Sequence, residues 1–279
     1  MASFFALIIL FGWVVSLYYN DRSILLFAVI FSIVMNIVSY WYSDKIVLSL
    51  YRAREARREE FFDLYTVTEN LAITAGLPKP KLYVIDDPSP NAFATGRNKN
   101  HAVVCVTTGL LAILDRQELE GVIAHELSHI GNKDMLLSTV VVVLVGFITL
   151  VSDFLLRGRI FHSSSDNNRG NGVVVIVAII LSLLTPIVAT IIQLAISRKR
   201  EFLADSSAAL LTRYPEGLAN ALRKISGTSV PLSRASNATA HLFIANPFGG
   251  ASKGIAKLFM THPPVEERIR ALLGEVGTK

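Results

Sequence analysis

The chain has 279 residues, 52% hydrophobic and 18% charged, with a formal net charge of +5 and a mean hydropathy of +0.47. A soluble domain carries about 25% charged residues; here Ala2–Tyr19, Ser23–Ser43, Met135–Ser152 and Val173–Ile196 contain no Asp, Glu, Lys or Arg, and the rest of the chain is charged at the soluble frequency. This excludes a plain soluble globule, a disordered chain and a pure membrane bundle, and a single cysteine, Cys105, excludes an intramolecular disulfide framework and a cysteine-rich metal site.

Residues 1–43 read as a transmembrane hairpin of two spans. Crossing a bilayer core takes about 20 apolar residues. No basic segment precedes the first stretch and only Asn20-Asp21-Arg22 separates it from the second, which suits a retained helical pair better than a cleaved leader. The polar segment 44–134 follows. From Glu55 to Ala75, apolar Phe61, Phe62, Leu64, Tyr65 and Leu71 recur at helical spacing, and Gly76, Pro78 and Pro80 end the helix. Lys81–Ile85 reads as a strand and Asp86–Pro90 as a loop. Asn91–Gly96 and His101–Thr108 read as a hairpin about the turn Arg97–Asn100. A helix from about Asp115 carries Leu119, Val122, Ile123 and Leu127 on one face and ends near Gly131. Residues 135–196 form a second hairpin of two spans around a polar loop at Ser163–Asn171. The segment 197–279 resumes in helix through Arg198–Leu211 and has another helix at Pro264–Leu273.

The polar segments 44–134 and 197–279 are each small for a domain and are expected to fold together. Lys45, Arg52, Arg54, Arg57, Arg58, Lys133, Arg198, Lys199, Arg200 and Arg213 fall on one side of the spans; Arg22, Arg157, Arg159 and Arg169 fall on the other. The bias places the polar domain and both termini in the cytoplasm. It also accounts for the positive charge without a nucleic-acid partner.

Chemistry concentrates in His125-Glu126-Leu127-Ser128-His129. On a helix, positions i and i+4 share a face, so both imidazoles can reach one cation while Glu126 aims at a water beside it. Zinc suits two neutral imidazoles and a carboxylate with a fourth position open. The third ligand is sought just past the fourth span, where Glu201 and Asp205 are also i and i+4. Glu201 could ligate while Asp205 holds the outer N–H of a histidine; taken alone, the pair could as well balance Arg198, Lys199 and Arg200. His129 lies six residues before the third span and Glu201 five after the fourth, hence about 9 Å and 7.5 Å from the bilayer at 1.5 Å per residue. Two crossings return the chain to the same side.

With its spans, Asn91-Ala-Phe-Ala-Thr-Gly96, the His125–His129 motif, Arg200-Glu-Phe-Leu-Ala-Asp205, and Thr261-His-Pro-Pro264 with Arg268-Ile269, the chain resembles the HtpX-type membrane zinc metalloproteases, heat-shock relatives of the CAAX prenyl endopeptidases. The resemblance implies a mostly helical α+β fold: four transmembrane helices and a cytoplasmic gluzincin-type protease domain with a small β-sheet. It implies one Zn2+ per chain on His125, His129 and Glu201, Glu126 as general base, and His262 and Arg268 near the tetrahedral intermediate. It makes Asn91, Ala92, Phe93 and Ala94 a substrate-binding edge, a place where an extended peptide adds through main-chain hydrogen bonds. His262 precedes two prolines, which hold its backbone extended. The implied activity is zinc endopeptidase action on misfolded or damaged membrane proteins at the inner (plasma) membrane, in a stress response. A prenyl-protein protease ranks lower, because four spans enclose less than a larger bundle. A structural zinc scaffold has no use for Glu126, and the spans lack the buried charges of a transporter.

Overall fold

Helix α1, Arg22–Leu50, is apolar on all sides over Arg22–Tyr42, long enough to cross a membrane, and only 12% of its most apolar window is buried. Leu26, Phe27, Ile30, Ile33, Val34, Ile37 and Trp41 all point outward, which water would oppose and lipid would not. This computed structural model describes residues 20–132, 134–135, 198–236, 239–249 and 263–274, with positions 5, 8–10, 12, 13, 16 and 17. His262, the loop at Ser163–Asn171 and, Met135 apart, the expected third and fourth spans lie outside the described residues. The chain divides into two compact units, residues 1–43 with 140–192 and residues 44–139 with 193–279. In the first, Gly12 meets Ala28 so closely that a Cβ on Gly12 would lie 2.2 Å from that of Ala28.

The second unit is built on a mixed sheet of β1 (Arg54–Glu55), β2 (Lys81–Ile85), β3 (Ala92–Gly96) and β4 (Ala102–Thr107), in the order β1-β2-β4-β3. The outer pairs are antiparallel and β2 runs parallel to β4, with Leu82 opposite Val104. The expected strand and hairpin are present with small shifts at their ends. The expected helix from Glu55 is not: α2 is Phe62–Thr74, seven residues shorter at its start. Arg54 and Glu55 pair instead with Val84 and Tyr83, and the Ala56 N–H donates to Leu82 at 2.9 Å. Main-chain pairing with a sheet thus outweighs the local helical spacing. At the other end Gly76, at φ +63°, lets the Gly76 and Leu77 amides turn back on Ile73 and Ala72.

Thr107 ends β4 and caps α3 (Thr108–Ile113), accepting from the Leu110 N–H at 3.1 Å while donating to the Ser89 carbonyl at 2.6 Å. Helix α4, Arg116–Gly131, opens with a reciprocal capping box between Asp115 and Glu118, both bonds 2.9 Å. It buries Leu119, Val122, Ile123, Leu127 and Ile130 and packs on α2, α5 (Arg198–Thr212) and α6 (Pro215–Gly227). The final helix, α7, is Val265–Leu273. Neither α3 nor α6 was expected, although Pro215 at a helix start with Leu218, Leu222 and Ile225 on one side is a readable signal.

Helices α4 and α6 touch backbone to backbone at Gly121, where a Cβ would fall 2.6 Å from Leu218 N. Gly121→Ala is therefore expected to cost about 1–3 kcal/mol by overpacking. At about 2–4 °C per kcal/mol for a chain of this size, calorimetry in detergent would show a clear fall in Tm. Gly227→Ala, whose Cβ meets nothing within 4 Å, should leave Tm unchanged, and equal effects would contradict the close approach.

Candidate metal centre

The helical period brings His125 and His129 onto the buried side of α4, with Nε2 atoms 3.2 Å apart and facing one another. Helix α5 supplies Glu201, whose carboxylate oxygens stand 3.8 Å from His125 Nε2 and 3.6 Å from His129 Nε2. One donor atom from each lies within 4.8 Å of the others. A tetrahedral zinc ion with bonds near 2.05 Å sets its ligand atoms about 3.3 Å apart; the two imidazoles already stand at that spacing, and Glu201 approaches them with a different oxygen toward each, somewhat farther off. The donor set, two imidazoles and a carboxylate, fits such an ion chemically.

Each imidazole is backed at its other nitrogen by a carboxylate. His125 Nδ1 lies 2.9 Å from Asp205 Oδ1, at hydrogen-bond distance but bent from a good hydrogen-bond line. Asp205 in turn takes two bonds from Arg268, Nε at 2.8 Å and Nη2 at 2.7 Å. Arg268 Nη1 donates to the Ile244 carbonyl at 3.1 Å and comes within 3.9 Å of Glu201. Arg268 is sealed from water. On the outer side His129 Nδ1 is 3.1 Å from Asp134 Oδ2, and Arg200 Nη1 donates to Asp134 Oδ1 at 2.5 Å.

These contacts set the protonation. Burial would raise Asp205, but Arg268 and His125 hold it at about 2. Burial lowers His125 to about 4 against the pull of Asp205. Burial would lower His129 too, yet its bond to Asp134 and the charges of Glu201 and Glu126 raise it to about 9. Glu126, wholly buried, is pushed up to about 7 by desolvation; Glu201 adds to the shift while His129, Arg268 and the Ala94 N–H oppose it. A carboxyl near neutrality can take up and release a proton at physiological pH.

The structure thus brings together His125, Glu126, His129, Glu201, Asp205 and Arg268 in the second unit. Arg268, expected beside a reaction intermediate, spends most of its donors on Asp205 and Ile244. Strand β3 is at the sheet edge, but its first residues are engaged by the chain itself: Ile244 N–H donates to the Ala92 carbonyl at 2.9 Å, and the Asn91 amide bonds both Ala245 main-chain groups. Phe93 packs against Tyr51 and Phe243. Ala94 is the residue of the strand that reaches Glu126. Asp134 and Arg200 were missed as site residues; a carboxylate five positions after the second histidine, and an arginine next to Glu201, were the signals available.

Residues 58–276 match the profile of peptidase family M48. A protein named "Protease HtpX homolog" from Caldanaerobacter subterraneus subsp. tengcongensis is 47% identical over 253 residues, covering 89% of this chain and 83% of that protein. One of the same name from Dictyoglomus thermophilum is 50% identical over 238 residues, covering 85% and 77%. The crystal structure of S. mikatae Ste24p superposes with a TM-score of 0.55 at 19% identity; the match covers 96% of this chain and 62% of that one, a likeness of fold.

Removing Arg268 would strand the Asp205 carboxylate in a dry site. Arg268→Met is therefore expected to cost about 3–5 kcal/mol, seen as a large drop in Tm, whereas the exposed Arg270→Met should be silent. A stable Arg268→Met protein would show that the buried pair is not needed to hold the fold.

Proposed function

The chain belongs to peptidase family M48, and from that premise we propose that it is a membrane-embedded zinc endopeptidase acting at the cytoplasmic face on membrane proteins that are misfolded or damaged. It is a metalloprotease, a hydrolase of peptide bonds. The reading rests on one observation above others: His125 and His129 converge on Glu201 of a helix more than seventy residues away in sequence. These three would hold one zinc ion per chain. Zinc, when bound, supplies Lewis acidity, drawing the pKa of a water toward about 7.

The remaining tasks fall to the chain's own residues. Glu126 is the general base: it accepts the proton of the attacking water at its carboxylate and can later give it to the leaving amine. Its burial supports this role, because a dry carboxyl near neutrality moves a proton with little driving-force penalty in either direction. Asp205 and Arg268 keep the His125 ring oriented, so Arg268 acts as a positioning residue, and its charge near Glu201 adds positive potential behind the site. His262 is proposed as a donor to the developing oxyanion, on the ground of its place before two prolines. The Asn91–Ala94 strand is proposed as the substrate edge. Because residues 244 and 245 already occupy its start, the added peptide would pair from Ala94 onward, beside Glu126. Main-chain pairing binds extended peptides with little regard to side chain, which suits unfolded substrates.

Membrane residence is supported by the apolar, outward-facing surface of Arg22–Tyr42, and the cytoplasmic orientation by the lysines and arginines that crowd the polar segments. Glu126→Gln should keep stoichiometric zinc by metal analysis and lose cleavage of casein, in detergent-purified full-length protein, by at least about 100-fold. Retained cleavage would end the general-base assignment. Wild-type protein without zinc would end the metal reading.

A further inference from the structure

We propose that Asp134 and Arg200 form a clasp that orients His129, so that the affinity of the metal centre depends on how the two ends of the 135–197 segment are joined; this rests on the metal reading above. Asp134 divides its carboxylate between two tasks. Oδ2 faces His129 Nδ1 at 3.1 Å, and Oδ1 receives Arg200 Nη1. An imidazole that ligates through Nε2 must carry its proton on Nδ1, and a carboxylate there fixes the tautomer, sets the ring angle and makes Nε2 a stronger donor.

The position of the two residues gives the contact its consequence. Asp134 follows the end of α4 by three residues, on the stretch that leaves the second histidine. Arg200 precedes Glu201 in the first turn of α5, on the stretch that arrives at the third donor. One ion pair therefore joins the departing and returning ends of a long insertion, five residues after one candidate metal donor and one residue before another. A surface ion pair has no such third partner; Asp134 is 8% exposed and its histidine-facing oxygen is committed inward.

The two histidines are thus held by the same device at two depths. Behind His125 the Asp205–Arg268 pair is shut away from water, with side-chain exposures of 2% and 0%. Behind His129 the pair is Asp134–Arg200, at 11% and 38%. A solvent-facing pair is weaker and more readily disturbed than a buried one. The outer clasp is the adjustable one, and movement of the insertion's ends would be felt first at His129.

The test is zinc affinity of the full-length protein in detergent, by competition with a chromogenic chelator, alongside the Tm of the metal-free protein. Asp134→Ala and the isosteric Asp134→Asn should each weaken zinc binding, Asp134→Ala by about 10–100-fold, with peptidase activity returning at saturating zinc. Arg200→Met should weaken it less. The exchange Asp134→Arg with Arg200→Asp restores an ion pair but not the partner of Nδ1, so affinity should stay low. Asp134→Asn with affinity within about twofold of wild type, or full affinity in the exchange variant, would overturn the proposal. If wild type holds zinc and His129→Ala loses it while both Asp134 variants keep it, the clasp alone fails; if wild type holds none, the metal reading fails and takes the clasp with it.

Discussion

A guanidinium and a carboxylate buried together without water are tolerable only when nearly every polar atom has a partner. Arg268 and Asp205 meet that condition: two parallel bonds join them, and the remaining guanidinium nitrogen takes the Ile244 carbonyl. Because the pair cannot be displaced cheaply, α5, α7 and the 240–245 segment are fixed relative to one another. His125 rests on Asp205, and Glu201 lies one turn earlier on the same helix. The position of the candidate metal donors is thus a consequence of where one charge pair is able to be buried.

The same dry pocket holds more negative than positive charge. Glu126, Glu201 and Asp205 face a single guanidinium from Arg268. Glu126 rises to about 7 chiefly because it is desolvated, whereas His129 rises to about 9 against its burial, through its bond to Asp134 and the charges of Glu201 and Glu126; excess negative charge in a low-dielectric site draws in positive charge, as protons or as a cation. The triangle of Nε2, Nε2 and carboxylate is where a divalent ion would do this most directly. Electrostatics and geometry thus select the same point in space.

Legibility in the sequence followed the range of the interaction. The two histidines are set by helical period alone, and α4 appears where its apolar spacing and Asp115 place it. Strand β2 and the hairpin were readable from composition and turn residues, and Gly76 from its place after an apolar run. Glu201 and Asp205 were legible as a pair, but contact with His125 on one side and Arg268 on the other separates their surroundings. Arg268 was singled out by the resemblance and not by its own surroundings, because nothing local says that α7 turns it inward. Asp134 was hidden for the same reason, since its meaning comes from Arg200, sixty-six residues on. Strand β1, two residues long, has no pattern of its own, and its pairing with β2 displaced the start of α2. The parallel pairing of β2 with β4 also has no local trace, being made by β3 lying outside β4 and not between the two.

Metal chemistry tolerates little slack, since a donor misplaced by an ångström loses most of its bond strength. Helix α4 is correspondingly held along its whole length. At its start Glu118 closes the capping box and takes Lys224 of α6 at 2.6 Å. In its middle Gly121 and, on α6, Gly217 allow backbone contact; a Cβ on Gly217 would fall 2.7 Å from the Gln117 carbonyl. Beyond its end Asp134 ties His129 to Arg200. The first two restraints are close-packed or capped and stiff, while the third is a partly exposed ion pair. A rod fixed firmly at one end and tied by a softer link at the other moves chiefly at the soft end, and that is where His129 sits. On the proposed metal reading, the inner histidine then serves as the reference point of the centre and the outer one as its variable.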